Sequence, residues 1–196
     1  MENSKRMGVA RPRRVLLLAI VGALAWTVHA SDSDVVKQQK QIRSMEQDTL
    51  QRLYKAEPRT KAAVSHAYGY AVFSDLGVKI LFGGTGNGKG VAVNNRTKHE
   101  TFMKMIELQA GLGMGVKKFR VVFVFDSERA LNSFVNSGWE FGGQTTAAAK
   151  NGDKGAAMAG AVSVSDGVWM YQLTDKGLAL EITAKSTKYY KDDSLN

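Results

Sequence analysis

Glycine recurs at every second position in two stretches of the chain, residues 84–90 and 111–115. Residues two apart on a β-strand point to the same face of its sheet. A strand built in this way has one face without side chains, so it can bend sharply or let a helix or another strand approach closely. With 20 glycines but only two prolines, the chain favours closely packed strands over a disordered tract.

A strand-and-turn rhythm continues through residues 68–184. Apolar runs alternate with turn residues, and Asp166-Gly167 between two such runs is a strong hairpin signal. The residues around Tyr189 and Tyr190 are expected to form a short tail packed by its aromatic rings. Strands are predicted at residues 68–73, 78–82, 88–94, 101–115, 119–125, 139–141, 145–150, 157–165, 168–173 and 178–184.

Helical spacing appears in front of these strands and once among them. Residues 34–56 are predicted to form a helix that Pro58 ends, because a proline ring disfavours helical backbone at the preceding residue. A short helix is predicted at 59–67, and another at 127–137 between the N-cap Ser127 and Gly138. The apolar stripe of the first helix comprises Ile42, Met45, Leu50, Leu53 and Tyr54.

Together these elements predict an α+β fold that is mainly β. Strands at hairpin spacing without a βαβ rhythm indicate an antiparallel sheet curled into a roll or barrel, with N-terminal helices and one later helix. About 166 residues remain after the first 30, which is enough for one domain with a substantial core.

Residues 1–30 carry the three-part pattern of a cleavable secretory signal peptide. Five basic residues precede 12 uninterrupted apolar residues at 15–26, whereas a bilayer-spanning helix needs about 20. Val28 and Ala30 suit a signal peptidase, so cleavage is predicted between Ala30 and Ser31. We therefore expect a periplasmic or secreted protein, with an uncleaved anchor helix as the alternative.

The charge and residue types exclude several function classes. Residues 31–196 keep 22 basic and 17 acidic residues, a formal charge of +5, which favours anionic phospholipid surfaces over nucleic acid in the absence of a dense arginine cluster. The chain contains no cysteine, so disulfides, thiol catalysis, thiolate metal sites and a cysteine-linked lipid anchor are excluded.

No residue pattern indicates an enzyme, a metal site or a cofactor. His66 and His99 lack the close ligand companions of a metal site, and no G-x-S-x-G elbow is present. Asp75, Asp126 and Asp166 fall at predicted strand ends and turns, where aspartate caps backbone amides.

A phosphate-loop pattern occurs at residues 83–89 but lacks its context. Gly90 replaces the required Ser or Thr, and a strand follows where a nucleotide-binding loop needs a helix. No nucleotide is therefore expected. One alternative stays open, a nest of backbone amides that binds a headgroup phosphate together with Lys89.

Residues 67–73 (AYGYAVF) resemble the A-x-G-x-x-x-F opening strand of the SYLF (Ysc84-type, DUF500) lipid-binding domain. Residues 82–88, 110–115, 121–125, 131–134, 174–178 and 187–190 resemble later parts of that domain in the same order. The resemblance, to the bacterial exported branch, implies a phospholipid-binding module. Eukaryotic members bind phosphoinositides with the help of an N-terminal amphipathic helix, and some engage actin, which is not expected for an exported chain.

The predicted organisation is therefore a signal peptide at 1–30, an amphipathic helical segment at 31–49 and a SYLF-like domain at 50–196. One alternative is that the apolar stripe of the first helix packs on the sheet and its basic residues form a solvated face. Two other functions stay open, a cell-envelope scaffold binding protein or peptidoglycan partners and a carrier with an apolar cavity inside the barrel. The predicted lipid-binding residues are Lys37, Lys40, Arg43, Arg52, Lys55, Arg59 and Lys89.

Overall fold

The computed structural model describes residues 32–74, 85–108, 120–141, 160–174, 177–179 and 186–196. The predicted signal peptide, the strands at 78–82 and 145–150 and the second glycine stretch lie outside these ranges. The described elements are α1 (Asp32–Ala56), α2 (Thr60–His66), β1 (Gly69–Ser74), β2 (Thr85–Asn94), β3 (Glu100–Leu108), β4 (Arg120–Phe125), α3 (Glu128–Ser137), β5 (Trp139–Phe141), β6 (Val162–Ser165), β7 (Val168–Thr174), β8 (Gly177–Ala179) and β9 (Ser186–Lys191).

The described strands form one antiparallel sheet in the order β5-β9-β3-β2-β1-β4-β7-β6, and β8 pairs with β7. The central strand β1 pairs along its whole length with β2 on one side and β4 on the other. The sheet curls into a half-barrel. This architecture confirms the predicted mainly β, α+β roll with N-terminal helices and one later helix.

Each face of the sheet has a buried apolar cluster. On one face, α1 places Ile42 and Leu53 against strand residues such as Val72 and Val122. On the other face, α3 places Leu131 and Phe134 in a second cluster with strand side chains from β1, β4 and β9. Central strands therefore contain continuous apolar runs, such as VVFVF in β4, because each face needs its own apolar side chains.

Gly86, Gly88 and Gly90 of the first glycine stretch lie in β2, and neighbouring atoms leave no room for side chains at Gly88 and Gly90. A Cβ atom at Gly90 would lie 2.3 Å from both the Phe73 ring and the Val72 carbonyl oxygen. A Cβ atom at Gly88 would lie 2.8 Å from the Ser74 carbonyl oxygen. The expected close approach is thus confirmed at Gly88 and Gly90, where it brings β1 and its Phe73 side chain against β2.

The helix ends follow the predicted sequence signals. α1 ends at Ala56, two residues before Pro58. Ser127 caps α3 by accepting a hydrogen bond from the Ala130 amide at 3.3 Å, and Gly138 follows the helix with a φ of 68°. No helix in the described ranges is both long and apolar enough to cross a bilayer.

The predicted tail around Tyr189 and Tyr190 is wrong, because these residues form β9 inside the sheet. β9 pairs with β5 through one edge and with β3 through the other. Thr187 and Tyr189 point inward and are buried, and the Tyr189 ring lies 4.8 Å from the Phe73 ring. Charged residues flank these inward positions, which weakens the strand pattern in the sequence.

Candidate functional site

The apolar stripe of α1 is part of the core. Ile42, Met45, Leu50 and Leu53 are all buried in the cluster between α1 and the sheet. The alternative in which this stripe packs on the sheet is therefore confirmed. α1 runs without interruption through the predicted boundary at residue 50, so the proposed division into 31–49 and 50–196 has no break in secondary structure.

The side of α1 that faces away from the sheet is basic. Lys37, Lys40 and Lys55 are exposed and form no ion pair with any residue in the described ranges. Within this helix between Val36 and Lys55, the Asp48 side chain is 46% exposed, but both Arg52 and Arg120 pair with it. We call these three lysines the outer lysines, and they are the predicted lipid-binding residues best placed to meet an external anion.

Three other predicted residues are already paired with carboxylates. Arg43 Nε lies 2.8 Å from Glu100 Oε2, and its guanidinium lies over the Phe102 ring. Arg52 Nε lies 3.0 Å from Asp48, and Arg59 Nε lies 2.9 Å from Glu57. Burial acts to raise the pKa of Asp48, but hydrogen bonds from Arg52 and Arg120 together outweigh it and lower this pKa.

Lys89 lies beside α1 rather than in a phosphate nest. Residues 85–93 pair with β3, and residues 89–94 also pair with β1, so this backbone extends as a strand instead of wrapping around an anion. The Lys89 ammonium donates a hydrogen bond to Gln38 Oε1 on α1. The Lys89 side chain therefore projects toward α1.

The register places two further cations in line with Lys89. Lys89 is directly opposite Lys104 on β3 and Ser74 on β1, and Ser74 is directly opposite Arg120 on β4. Residues directly opposite each other project from the same face of a sheet, and Lys89 and Arg120 both contact α1. We call Lys104, Lys89 and Arg120 the cationic row. The sequence-based prediction missed Lys104 and Arg120. These residues are far from Lys89 along the chain, and only the pairing register of the strands brings them into line with it.

Two acidic groups hold the cationic row. Asp192 is fully buried, and its Oδ1 lies 2.8 Å from Lys104 Nζ, while its Oδ2 lies 4.0 Å from Lys89 Nζ. Arg120 Nη1 donates to Asp48 Oδ2 at 2.7 Å and to Thr49 Oγ1 at 2.9 Å. Burial acts to raise the pKa of Asp192, but hydrogen bonds from Lys104 and Ser194 outweigh it and keep this pKa below its ordinary value.

A different polar contact lies under α1 at Glu46. Tyr70 Oη donates to Glu46 Oε1 at 2.8 Å. Burial raises the pKa of Glu46, the Tyr70 hydrogen bond opposes that rise, and the charge of Glu100 adds to it. Burial and the Glu46 charge likewise raise the pKa of Tyr70, and the hydrogen bond between the two side chains links α1 to β1.

A cleft of about 460 Å³ lies between α3 and the turn that joins β6 to β7. Phe134 and Trp139 contribute aromatic surface to it, and Ser127 and Ser133 contribute hydroxyl groups. Arg129 Nη2 and Asp166 Oδ2 lie 3.8 Å apart at its exposed rim. The described residues contain no group of metal-ligating side chains, and both His66 and His99 are exposed.

Comparison with known proteins confirms the resemblance to SYLF-type domains. Residues 106–196 match the family model Ysc84, described as "Las17-binding protein actin regulator". A protein named beta cell expansion factor A, from Aeromonas veronii, is 32% identical over 154 residues, which cover 79% of this chain and 57% of that protein. The chain thus spans little more than half the length of this relative.

Proposed function

Since this chain belongs to the Ysc84 (SYLF) family through residues 106–196, we propose that it is an exported, non-enzymatic module that binds anionic phospholipid headgroups reversibly. Ysc84-type domains are lipid-binding or actin-related binding domains. The predicted signal peptide supports a location outside the cytoplasm, where actin is absent. The exposed outer lysines of α1 are the single observation that carries the lipid assignment.

The outer lysines suit an electrostatic contact. Each basic residue near an anionic leaflet contributes about 1 kcal/mol, so three lysines contribute about 3 kcal/mol, or roughly a hundredfold in partitioning. The apolar stripe stays buried under α1 and cannot enter the bilayer while the helix is docked. Among the described residues, Val36 is the one large hydrophobic side chain that is mostly exposed, at 61%. The expected binding is therefore peripheral and reversible.

Cosedimentation of the processed protein with vesicles tests this proposal. Vesicles of phosphatidylglycerol and phosphatidylcholine should bind more protein than phosphatidylcholine vesicles. The variant K37Q/K40Q/K55Q should lose roughly a hundredfold in partitioning. The control K98Q/K188Q/K191Q removes the same charge from exposed positions outside α1 and should lose much less. Equal binding to neutral and anionic vesicles would contradict the proposal.

A second candidate function is a cell-envelope scaffold, favoured by the cleft beside α3. Its aromatic surface, hydroxyl groups and charged rim suit a glycan or peptide. Retention of the protein on purified peptidoglycan sacculi would support this function. Trp139→Ala should abolish that retention, while binding to anionic vesicles should persist.

A further inference from the structure

The cationic row places like charges side by side across the sheet. Lys104 and Lys89 are direct neighbours on β3 and β2, and Arg120 lies two strands further on β4. Like charges directly opposite each other destabilise a sheet. Strands are about 4.8 Å apart, so the row extends over roughly 15 Å. Such an arrangement suggests that the row serves an anionic ligand.

The row is accessible and only partly neutralised. The side chains of Lys89, Lys104 and Arg120 are 34%, 36% and 29% exposed. Arg52 joins the row at its β4 end, because it shares Asp48 with Arg120. Within the described residues, these four cations pair with two carboxylates, those of Asp48 and Asp192, so the described groups carry an excess of positive charge along one side of α1.

Buried Asp192 positions the ammonium groups. It accepts hydrogen bonds from Lys104 and from the Ser194 hydroxyl, which fix its carboxylate below α1. Its Oδ2 atom is buried and accepts no hydrogen bond within the described part of the chain, yet lies 4.0 Å from Lys89 Nζ. Lys89 and Lys104 are thus held at one place before a ligand arrives, which reduces the entropy cost of binding.

We propose that the cationic row, together with Arg52, binds the phosphate groups of an anionic lipid headgroup along the side of α1. This inference rests on the proposed lipid-binding function and adds a specific headgroup site to the general contact made by the outer lysines. Lys89 with Lys104 and Arg120 with Arg52 form two cationic pairs, roughly 10 Å apart by strand spacing. Two pairs favour a headgroup with two phosphates over one with a single phosphate, and the planar arginine groups suit bidentate phosphate contacts.

Vesicle binding at matched surface charge tests the site. The processed protein is mixed with phosphatidylcholine vesicles that contain either cardiolipin, with two phosphates, or phosphatidylglycerol at twice the molar fraction. The wild-type protein should prefer cardiolipin. K89Q/R120Q should lose that preference and bind cardiolipin vesicles about thirtyfold less, since two headgroup cations are removed. K98Q/K188Q, which removes the same charge elsewhere, and K37Q/K40Q/K55Q should both keep the preference.

Arg120→Lys guards against loss of folding. This variant keeps the positive charge beside Asp48 but removes the planar guanidinium group. The protein should therefore fold like the wild type, and its preference for cardiolipin over phosphatidylglycerol should be smaller. Circular dichroism checks the fold of every variant. Folded K89Q/R120Q that keeps the cardiolipin preference would overturn the site, while the proposed function would stand.

A titration with soluble phosphate compounds distinguishes a lipid ligand from a free phosphate compound. Pyrophosphate and glycerol phosphate are titrated while the melting temperature is measured. The lipid assignment predicts that neither compound shifts the melting temperature appreciably at a phosphate concentration at which cardiolipin vesicles bind the protein. Strong stabilisation by either compound without vesicle binding would overturn the lipid assignment. Failure of the wild-type protein to bind any anionic vesicle would overturn the proposed function itself.

Discussion

Gly90 shows how one residue sets the spacing between neighbouring parts of the sheet. The Phe73 ring lies across β2 at this position, and the Val72 carbonyl oxygen leaves no space for a methyl group. Phe73 in turn contacts Phe123, Phe134 and Tyr189, so a change at Gly90 reaches the aromatic core on the α3 side.

Gly90→Ala is expected to lower the free energy of unfolding by about 1–3 kcal/mol, the usual cost of overpacking. Gly88→Ala is the matched control, because its closest neighbour is the flexible end of Met105 and the nearest carbonyl oxygen is 2.8 Å away rather than 2.3 Å. Urea denaturation should show the larger loss for Gly90→Ala. Equal losses would mean that the Phe73 ring and the Val72 carbonyl oxygen crowd Gly90 no more than Met105 and Ser74 crowd Gly88.

The partly buried carboxyl group of Glu46 should make the stability of the protein depend on pH. Burial raises its pKa, so the folded state binds a proton more readily than the unfolded state. The resulting stability is complete below the unfolded-state pKa and is lost as pH rises through the folded-state pKa. Glu46→Gln cannot titrate and still accepts the Tyr70 hydrogen bond. It should therefore be more stable than the wild type at neutral pH, with the difference vanishing below about pH 4.

Unfolding free energies of both proteins between pH 3 and pH 8 would check this expectation. Tyr70→Phe provides the second test, because it removes the hydrogen bond that opposes the raised pKa of Glu46. Its stability should fall more steeply with rising pH than that of the wild type. A difference between Glu46→Gln and wild type that stays constant with pH would contradict the assigned cause.

At the scale of elements, α1 has two opposite roles on its two sides. Its apolar stripe holds the helix on the sheet, and its outer lysines face solvent. Asp48 and Glu46 add polar contacts to β4 and β1, respectively. A docked helix of this kind presents charge at a fixed position, whereas a free amphipathic helix would insert its apolar side into lipid.

Leu53→Ala tests whether α1 functions while docked. The side chain is fully buried, so truncation should cost about 2–5 kcal/mol. Gln51→Ala, at an exposed position of the same helix, should change stability by no more than about 0.5 kcal/mol. Urea denaturation gives both values. If Leu53→Ala instead left stability unchanged but weakened vesicle binding, α1 would act as an inserting helix.

At the scale of the whole molecule, binding to anionic vesicles should depend strongly on salt. The contacts proposed for the outer lysines are exposed charges, and screening shortens their range from about 10 Å at 0.1 M salt to about 3 Å at 1 M. Partitioning onto phosphatidylglycerol vesicles should therefore fall by at least tenfold between these two salt concentrations, measured by cosedimentation. Binding that survives 1 M salt would indicate an apolar contact that the docked α1 does not offer.

The pattern of residues along the chain was sufficient for most local features. Apolar spacing predicted α1, the Ser127 cap predicted the start of α3, and glycine alternation predicted a closely approached β2. These features depend on neighbours within a few residues, which the sequence displays directly. The SYLF resemblance was confirmed for the same reason, because it rests on short motifs in a fixed order.

Tertiary structure determined two features of the sheet, the position of β9 and the alignment of the cationic row. β9 lies inside the sheet because Thr187 and Tyr189 find partners on β3 and β5, although its sequence is short and charged. The cationic row exists only through the register that aligns Lys104, Lys89 and Arg120 on three strands. Cross-strand neighbours are set by packing between segments far apart in the chain. The sequence by itself therefore determined the elements, the family and the basic side of α1, whereas only the fold determined that a line of cations lies beside that helix.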